Sequence, residues 1–191
     1  MKSFPNANQL SGRAIGSIFF ACFGAGWLFL ALAAKRLITF ATVSSILLGM
    51  STLLMTAFYL MRQAKRWPRM PTDPAMGRAF GWINAIQWTA VAIVAVSFAK
   101  FHIDAFVTSA IAAIIGLHMF PLARLFRYPL HYATGTALVG WAAVSAASLP
   151  IEKMQGATAL GTGAILWLSA AVTLAIGVTA ARQPAPARAA A

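Results

Sequence analysis

"GRAIGSIFFACFGAGWLFLALAAKRL", residues 12–37, carries no charge between Arg13 and Lys35. A helix over that interval rises about 1.5 Å per residue and so matches the ~30 Å hydrocarbon thickness of a bilayer. Basic residues bracket it, as they bracket membrane spans. The run is too long for the apolar part of a signal peptide and no small-residue cleavage site with a soluble domain follows it, so it is expected to remain as a span. Composition agrees. Of 191 residues, 60% are hydrophobic and 9% are charged, with mean hydropathy +0.76, whereas soluble domains are about a quarter charged. So few charges cannot cover so much apolar surface in water, while lipid requires no such cover. The expected fold class is all-α, a polytopic membrane protein.

Six apolar runs approach the length of a span, at 13–34, 38–61, 79–99, 104–123, 129–149 and 157–181. "KRL" (35–37), "KFHI" (100–103) and "PIEKMQG" (150–156) read as short connectors, and "RQAKRWPRMPTDPAMGR" (62–78) as a long, polar, proline-punctuated one. Six transmembrane helices arranged as three hairpins follow. Residues 1–12 read as a cytoplasmic N-terminal segment, 13–181 as the membrane domain and the Pro/Ala-rich 182–191 as a disordered cytoplasmic tail. Lys2, Arg13, Arg62, Lys65, Arg66, Arg69, Arg78, Arg124, Arg127, Arg182 and Arg188 fall on one side, and Lys35, Arg36, Lys100 and Lys153 on the other. Positively charged loops stay in the cytoplasm, so both termini are expected there. The net charge of +12 is thus read as topology. No basic stripe with interleaved aromatics is present, and nucleic acid is not an expected partner. The single Cys22 admits no intramolecular disulfide.

The segment from Gly12 has an echo at Gly77, "GRAFGWINAIQWTAVAIVAVSFA". Extending the same offset pairs Ser44 with Ser109, Ile46 with Ile111, Leu60 with Leu125 and Arg62 with Arg127. Two readings stand: a parallel duplication of the hairpin, or coincidence in low-complexity apolar sequence. Gly12 and Gly16, Gly77 and Gly81, and Ala142 and Ala146 have the four-residue spacing that permits close helix approach, within the chain or in a homo-oligomer. Gly135, Gly140, Gly156, Gly161 and Gly163 mark the third hairpin as tightly packed.

Chemistry concentrates in "IIGLHMFPLARLFR", residues 114–127, which sets His118 in an apolar run ahead of Pro121 and Arg124. His118 lies about 9 Å of helical rise before Arg124, in the inner half of the bilayer. Pro121 cannot donate to the Leu117 carbonyl, so a kink and a free acceptor are expected beside the ring. At similar depth the third run carries Asn84, Gln87 and Trp88, and the fifth carries His131, Tyr132 and Thr134. Polar groups are costly against lipid, so these residues are expected to face one another. Asn84, Gln87, Trp88, His118, Pro121, His131, Tyr132 and Thr134 are therefore the candidate ligand-binding residues. His118 is either a hydrogen-bonded contact to Gln87 or to a backbone carbonyl, or a ligand or proton site. Haem between His118 and His131 is a weaker reading, and no cofactor is assigned. Lys100, His102 and Asp104 read as a solvated turn and not a metal site. The three acids, Asp73, Asp104 and Glu152, lie in connectors or at span ends, so paired-carboxylate catalysis lacks its parts. Metalloprotease, hydrolase, ATPase and zinc motifs are absent.

"IIGLHMFPLARLFRYPLHYATG" (114–135) resembles the most characteristic stretch of a family of small bacterial six-span membrane proteins of unknown function, in which G-L-H-x-x-P-L-A precedes a basic residue and an aromatic-rich turn. The resemblance covers the third to fifth runs and implies six helices, a bacterial inner membrane, and Gly116, His118, Pro121 and Arg124 as matching positions. That family often carries an acid where this chain has Gln87, a departure that removes a charge partner for His118. Function is read as binding or transport of a small molecule at an intramembrane polar pocket. Open alternatives are a non-transporting scaffold or interaction protein, and a haem or quinone redox protein.

Overall fold

Capping chemistry decides where the helices start. The computed structural model describes residues 6–71 and 73–183, in six helices: α1 (Ala7–Ala34), α2 (Phe40–Ala64), α3 (Pro74–Lys100), α4 (Val107–Leu125), α5 (Leu130–Ser148) and α6 (Ile151–Ala181). The terminal tail from 184 onward, expected to be disordered, lies outside the described residues. Asn6 accepts from the Gln9 amide at 2.9 Å while Gln9 Oε1 accepts from the Asn6 amide at 3.4 Å, a reciprocal cap that starts α1 ahead of the apolar run at 13. Asp73 accepts from the Ala75 amide at 2.8 Å with Pro74 as the first helical residue, which starts α3 ahead of 79. α6 follows Pro150 directly, so "PIEKMQG" forms its first turns and not a connector. Glu152 there suits the positive end of the helix dipole.

Three helices end alike. Arg36, His102 and Arg127 have φ of 54°, 57° and 49°, the left-handed conformation that caps a helix C-terminus and favours glycine. After α3, the His102 amide donates to Ala99 O at 3.3 Å and the Ile103 amide to Phe98 O at 3.0 Å. A Cβ in this conformation costs about 1 kcal/mol. His102→Gly is therefore expected to stabilise the protein slightly, by less than about 1 kcal/mol once glycine's extra chain entropy is subtracted. Thermal unfolding in detergent checks this.

α6 occupies the middle of the bundle and touches α1, α2, α4 and α5. α1 packs on α2, α3 on α4 and α5 on α6, but the most extensive pairings are α1 with α6 and α4 with α5, which join different expected hairpins. Glycines set these approaches. A Cβ on Gly116 would stand 2.9 Å from the Gly135 carbonyl oxygen, and one on Gly163 2.9 Å from that of Gly24. The Trp167 indole fills the space beside Gly24 and Gly49 and donates to Ala21 O at 3.0 Å; Trp141 covers Gly161 and donates to Ala157 O at 3.2 Å. By contrast Gly12, Gly16, Gly77 and Gly81 have open space where a side chain would stand, so their four-residue spacing mediates no approach within the chain. α3 packs on α4 and on the 3₁₀ turn Asp104–Phe106, and buries none of its own residues.

At one end Ala7, Leu10, Ala14, Ala57, Leu60, Ala64, Trp67 and Leu174 form an apolar cluster. The Ala7 amide donates to Pro68 O at 3.0 Å and Asn8 Nδ2 to Met70 O at 2.7 Å, pinning the basic 65–71 segment to the start of α1. Elsewhere large apolar side chains point outward, Phe40, Leu48, Met55 and Trp82 among them. α1, α2, α3, α6 and the Asp104–Leu125 stretch are long and apolar enough to cross a membrane. α5, which has 19 residues, falls short of that apolarity because His131, Tyr132, Thr134 and Thr136 crowd its first turns. Among the described residues the protein is all-helical, with five helices long and apolar enough to span and a surface suited to lipid contact.

Candidate functional site

The polar groups of α5 face its partners in register. Tyr128, just before α5, donates from Oη to Thr173 Oγ1 of α6 at 3.4 Å. One turn further, the Thr134 and Ser169 hydroxyls share a buried hydrogen bond of 2.8 Å, and Trp141 reaches Ala157 O near the far end. The other flank meets α1. The His131 ring lies between Phe20 and Tyr128, both edge-on, with centroids 5.9 and 5.1 Å away. The Arg13 guanidinium sits 5.3 Å from the Tyr128 ring centroid. Arg13, Ser17 and Phe20 recur every turn on one side of α1, so this side meets the start of α5.

His118 comes from α4, about two turns before its C-terminus. α4 runs as helix through Pro121, and both Pro121 and Leu117 are exposed. Both His118 ring nitrogens are shielded without a hydrogen-bond partner, as is Nδ1 of His131. His118 lies on α4 and His131 on α5, two helices that pack closely on each other. A neutral imidazole carries one donor and one acceptor, and a dry, unpaired polar group costs about 1–3 kcal/mol. The bond from His118 to Gln87 or to a backbone carbonyl expected of a purely structural contact is not formed. Ser17 Oγ, 1% exposed, also lacks a partner.

The other candidate residues are used differently. Asn84 donates to Phe80 O of its own helix at 2.8 Å. Thr134 bonds Leu130 O and Ser169 and so turns toward α6. Tyr132 is exposed and packs on Phe120, while Trp88, also exposed, leans on Phe23 of α1. Gln87 is half-buried. The structure thus sets His118 and His131 on the closely packed helices α4 and α5, while Asn84 bonds its own helix and Thr134 turns to α6. Arg13, Ser17, Phe20, Tyr128 and Ser169 went unread in the sequence, because the pairing of α1 with α5 and α6 joins distant parts of the chain. The need of Tyr128 for a hydroxyl partner was the available clue.

Two open apolar grooves lie away from the imidazoles. One, of about 330 Å³, is lined by Cys22, Phe23, Gly26, Trp27 and Leu30; the other, of about 270 Å³, lies between α2 and α6. Neither provides a slot for a haem between His118 and His131. Lys100, His102 and Asp104 are exposed, and among the described residues no three His, Cys, Asp or Glu side chains come together as a metal set. No protein family, curated protein or solved structure matches the chain.

Proposed function

We propose that the protein is a six-span bacterial inner-membrane protein, with both termini cytoplasmic, that binds a small molecule at His118 and His131 and moves it or senses it there. The observation that carries this reading is that three nitrogens of His118 and His131, on the packed helices α4 and α5, are shielded and have no protein partner. A hydrogen-bonding guest supplies what the protein leaves unmade. Six crossings are supported by the course of α5, which tracks α6 from Thr173 to Ala157 and so passes from one end of the bundle to the other. The G-L-H-x-x-P-L-A resemblance favours the same membrane and span number.

His118→Gln tests the reading, because glutamine keeps a donor and an acceptor but not the ring geometry. The variant is expected to fold, with its bound molecule weakened about tenfold for the loss of a well-placed hydrogen bond. Native mass spectrometry of protein released from detergent reads the bound mass. No bound mass in the wild type, or the same occupancy in His118→Gln and His131→Gln, would remove the proposal and leave a structural scaffold.

A further inference from the structure

The groove of about 270 Å³ between α2 and α6 is lined by Leu53, Thr56, Ala171, Leu174, Ala175 and Val178. It is apolar in effect, because the one hydroxyl, on Thr56, donates to Thr52 O of its own helix at 2.8 Å. Ala171 and Ala175, one turn apart and exposed, leave the depression because their side chains stop at Cβ.

One end of this groove is basic. Leu60 lies against Gly177, and Ala64, Ala180 and Ala181 belong to one apolar cluster, so α2 and α6 stay together through their last turns. The residues that follow directly are Lys65 and Arg66 on α2 and Arg182 on α6, all exposed. Ala171, Ala175, Val178 and Arg182 recur at turn spacing, and the Arg182 amide still donates to Val178 O at 3.1 Å, so Arg182 stands one turn beyond the groove lining on the same face. On the other wall Gln63 comes two turns after Thr56, and the Arg66 amide donates to Gln63 O at 3.0 Å, which carries the helical turn on to Arg66. No acid answers these cations. α2 and α6 contain one carboxylate, Glu152, at the opposite end, and Asp73 is engaged as the cap of α3 through the Ala75 amide.

We propose that the groove seats an acyl chain of an anionic phospholipid, whose phosphate is held by Arg182 and Arg66 with the Gln63 amide as a further donor. A guanidinium offers two phosphate oxygens a fork of N–H groups, and anionic headgroups gather at basic segments that border a membrane span. An apolar slot that ends in cations fits an amphiphile along its whole length, whereas a free anion or an acidic protein would leave the slot unused. His118 and His131, on α4 and α5, take no part.

The test titrates the full chain in detergent with dioleoyl phosphatidylglycerol or dioleoyl phosphatidylcholine and reads the Kd of each by native mass spectrometry. Phosphatidylglycerol is expected to bind about tenfold more tightly, the scale of one charge-assisted hydrogen bond. Arg66→Gln combined with Arg182→Gln should bring it to the phosphatidylcholine affinity. Ala175→Phe, which fills the groove, should weaken both lipids, and Lys153→Gln, an exposed cation at the opposite end, should change neither. Equal affinity for the two lipids in the wild type, a preference that survives the double substitution, or one that falls equally in Lys153→Gln, overturns the headgroup assignment. Unchanged affinities in Ala175→Phe, or in Ala171→Phe where the first does not fold, overturn the groove. If the double variant does not fold, Arg182→Gln alone decides: a reduced preference supports the assignment and an unaltered one overturns it.

Discussion

Gly135→Leu is expected to separate α4 from α5 and to leave little folded protein after extraction. The two helices touch backbone to backbone: a Cβ on Gly135 would stand 2.7 Å from Gly116 O and 3.0 Å from Met119 Cβ. A carbonyl in a helix cannot move aside as a side-chain tip can, so both helices must part. Even Gly135→Ala should cost about 1–3 kcal/mol by overpacking, and leucine more. Gly140, on the same helix, has open space around it, so Gly140→Ala should be close to neutral. Size-exclusion profiles and thermal unfolding of the three variants check the contrast. Because His118 and His131 lie on these two helices, Gly135→Ala should also loosen any molecule held between them.

The second large effect concerns sidedness. With α5 counted as a crossing, a reporter after Gln183 should be active only in the cytoplasm, and one inserted between Ser148 and Ile151 only outside. The basic residues at the two ends of the helices point the same way: Arg62, Lys65, Arg66, Arg69, Arg78, Arg124 and Arg127 border one end, and Lys35, Arg36, Lys100 and Lys153 the other. If α5 did not cross, reporters after Arg127 and after Gln183 would lie on opposite sides. Paired fusions at these positions, one reporter active on each side, separate the two arrangements.

The helices themselves were legible because uncharged runs of span length can hardly be anything else, and each of the six runs coincides in most of its length with one helix of the structure. Their starts were less legible. Asn6 with Gln9 and Asp73 with Pro74 are cap signals, but they precede the apolar runs that drew attention first. Pro150 read as a break, although proline is as much at home just before a helix. The pairing of helices was hidden for a different reason. In lipid every outward face is apolar, so hydrophobic periodicity does not tell a lipid face from a helix partner. What decides the partner is local fit, such as the Trp167 indole lying beside both Gly24 and Gly49, and fit depends on three helices at once. The same limit applied to the candidate site. Depth can be read from the sequence, whereas rotation about the helix axis turns Thr134 toward Ser169 and gives Asn84 its own backbone as partner.

A density map of the protein in a native-lipid nanodisc, resolved well enough to show bound small molecules and water, addresses the imidazole pair most directly. The account predicts a non-protein molecule within about 3.2 Å of at least one His118 nitrogen, in contact also with His131. His118 nitrogens bonded instead to protein groups, or rings packed dry with no density between them, would contradict it.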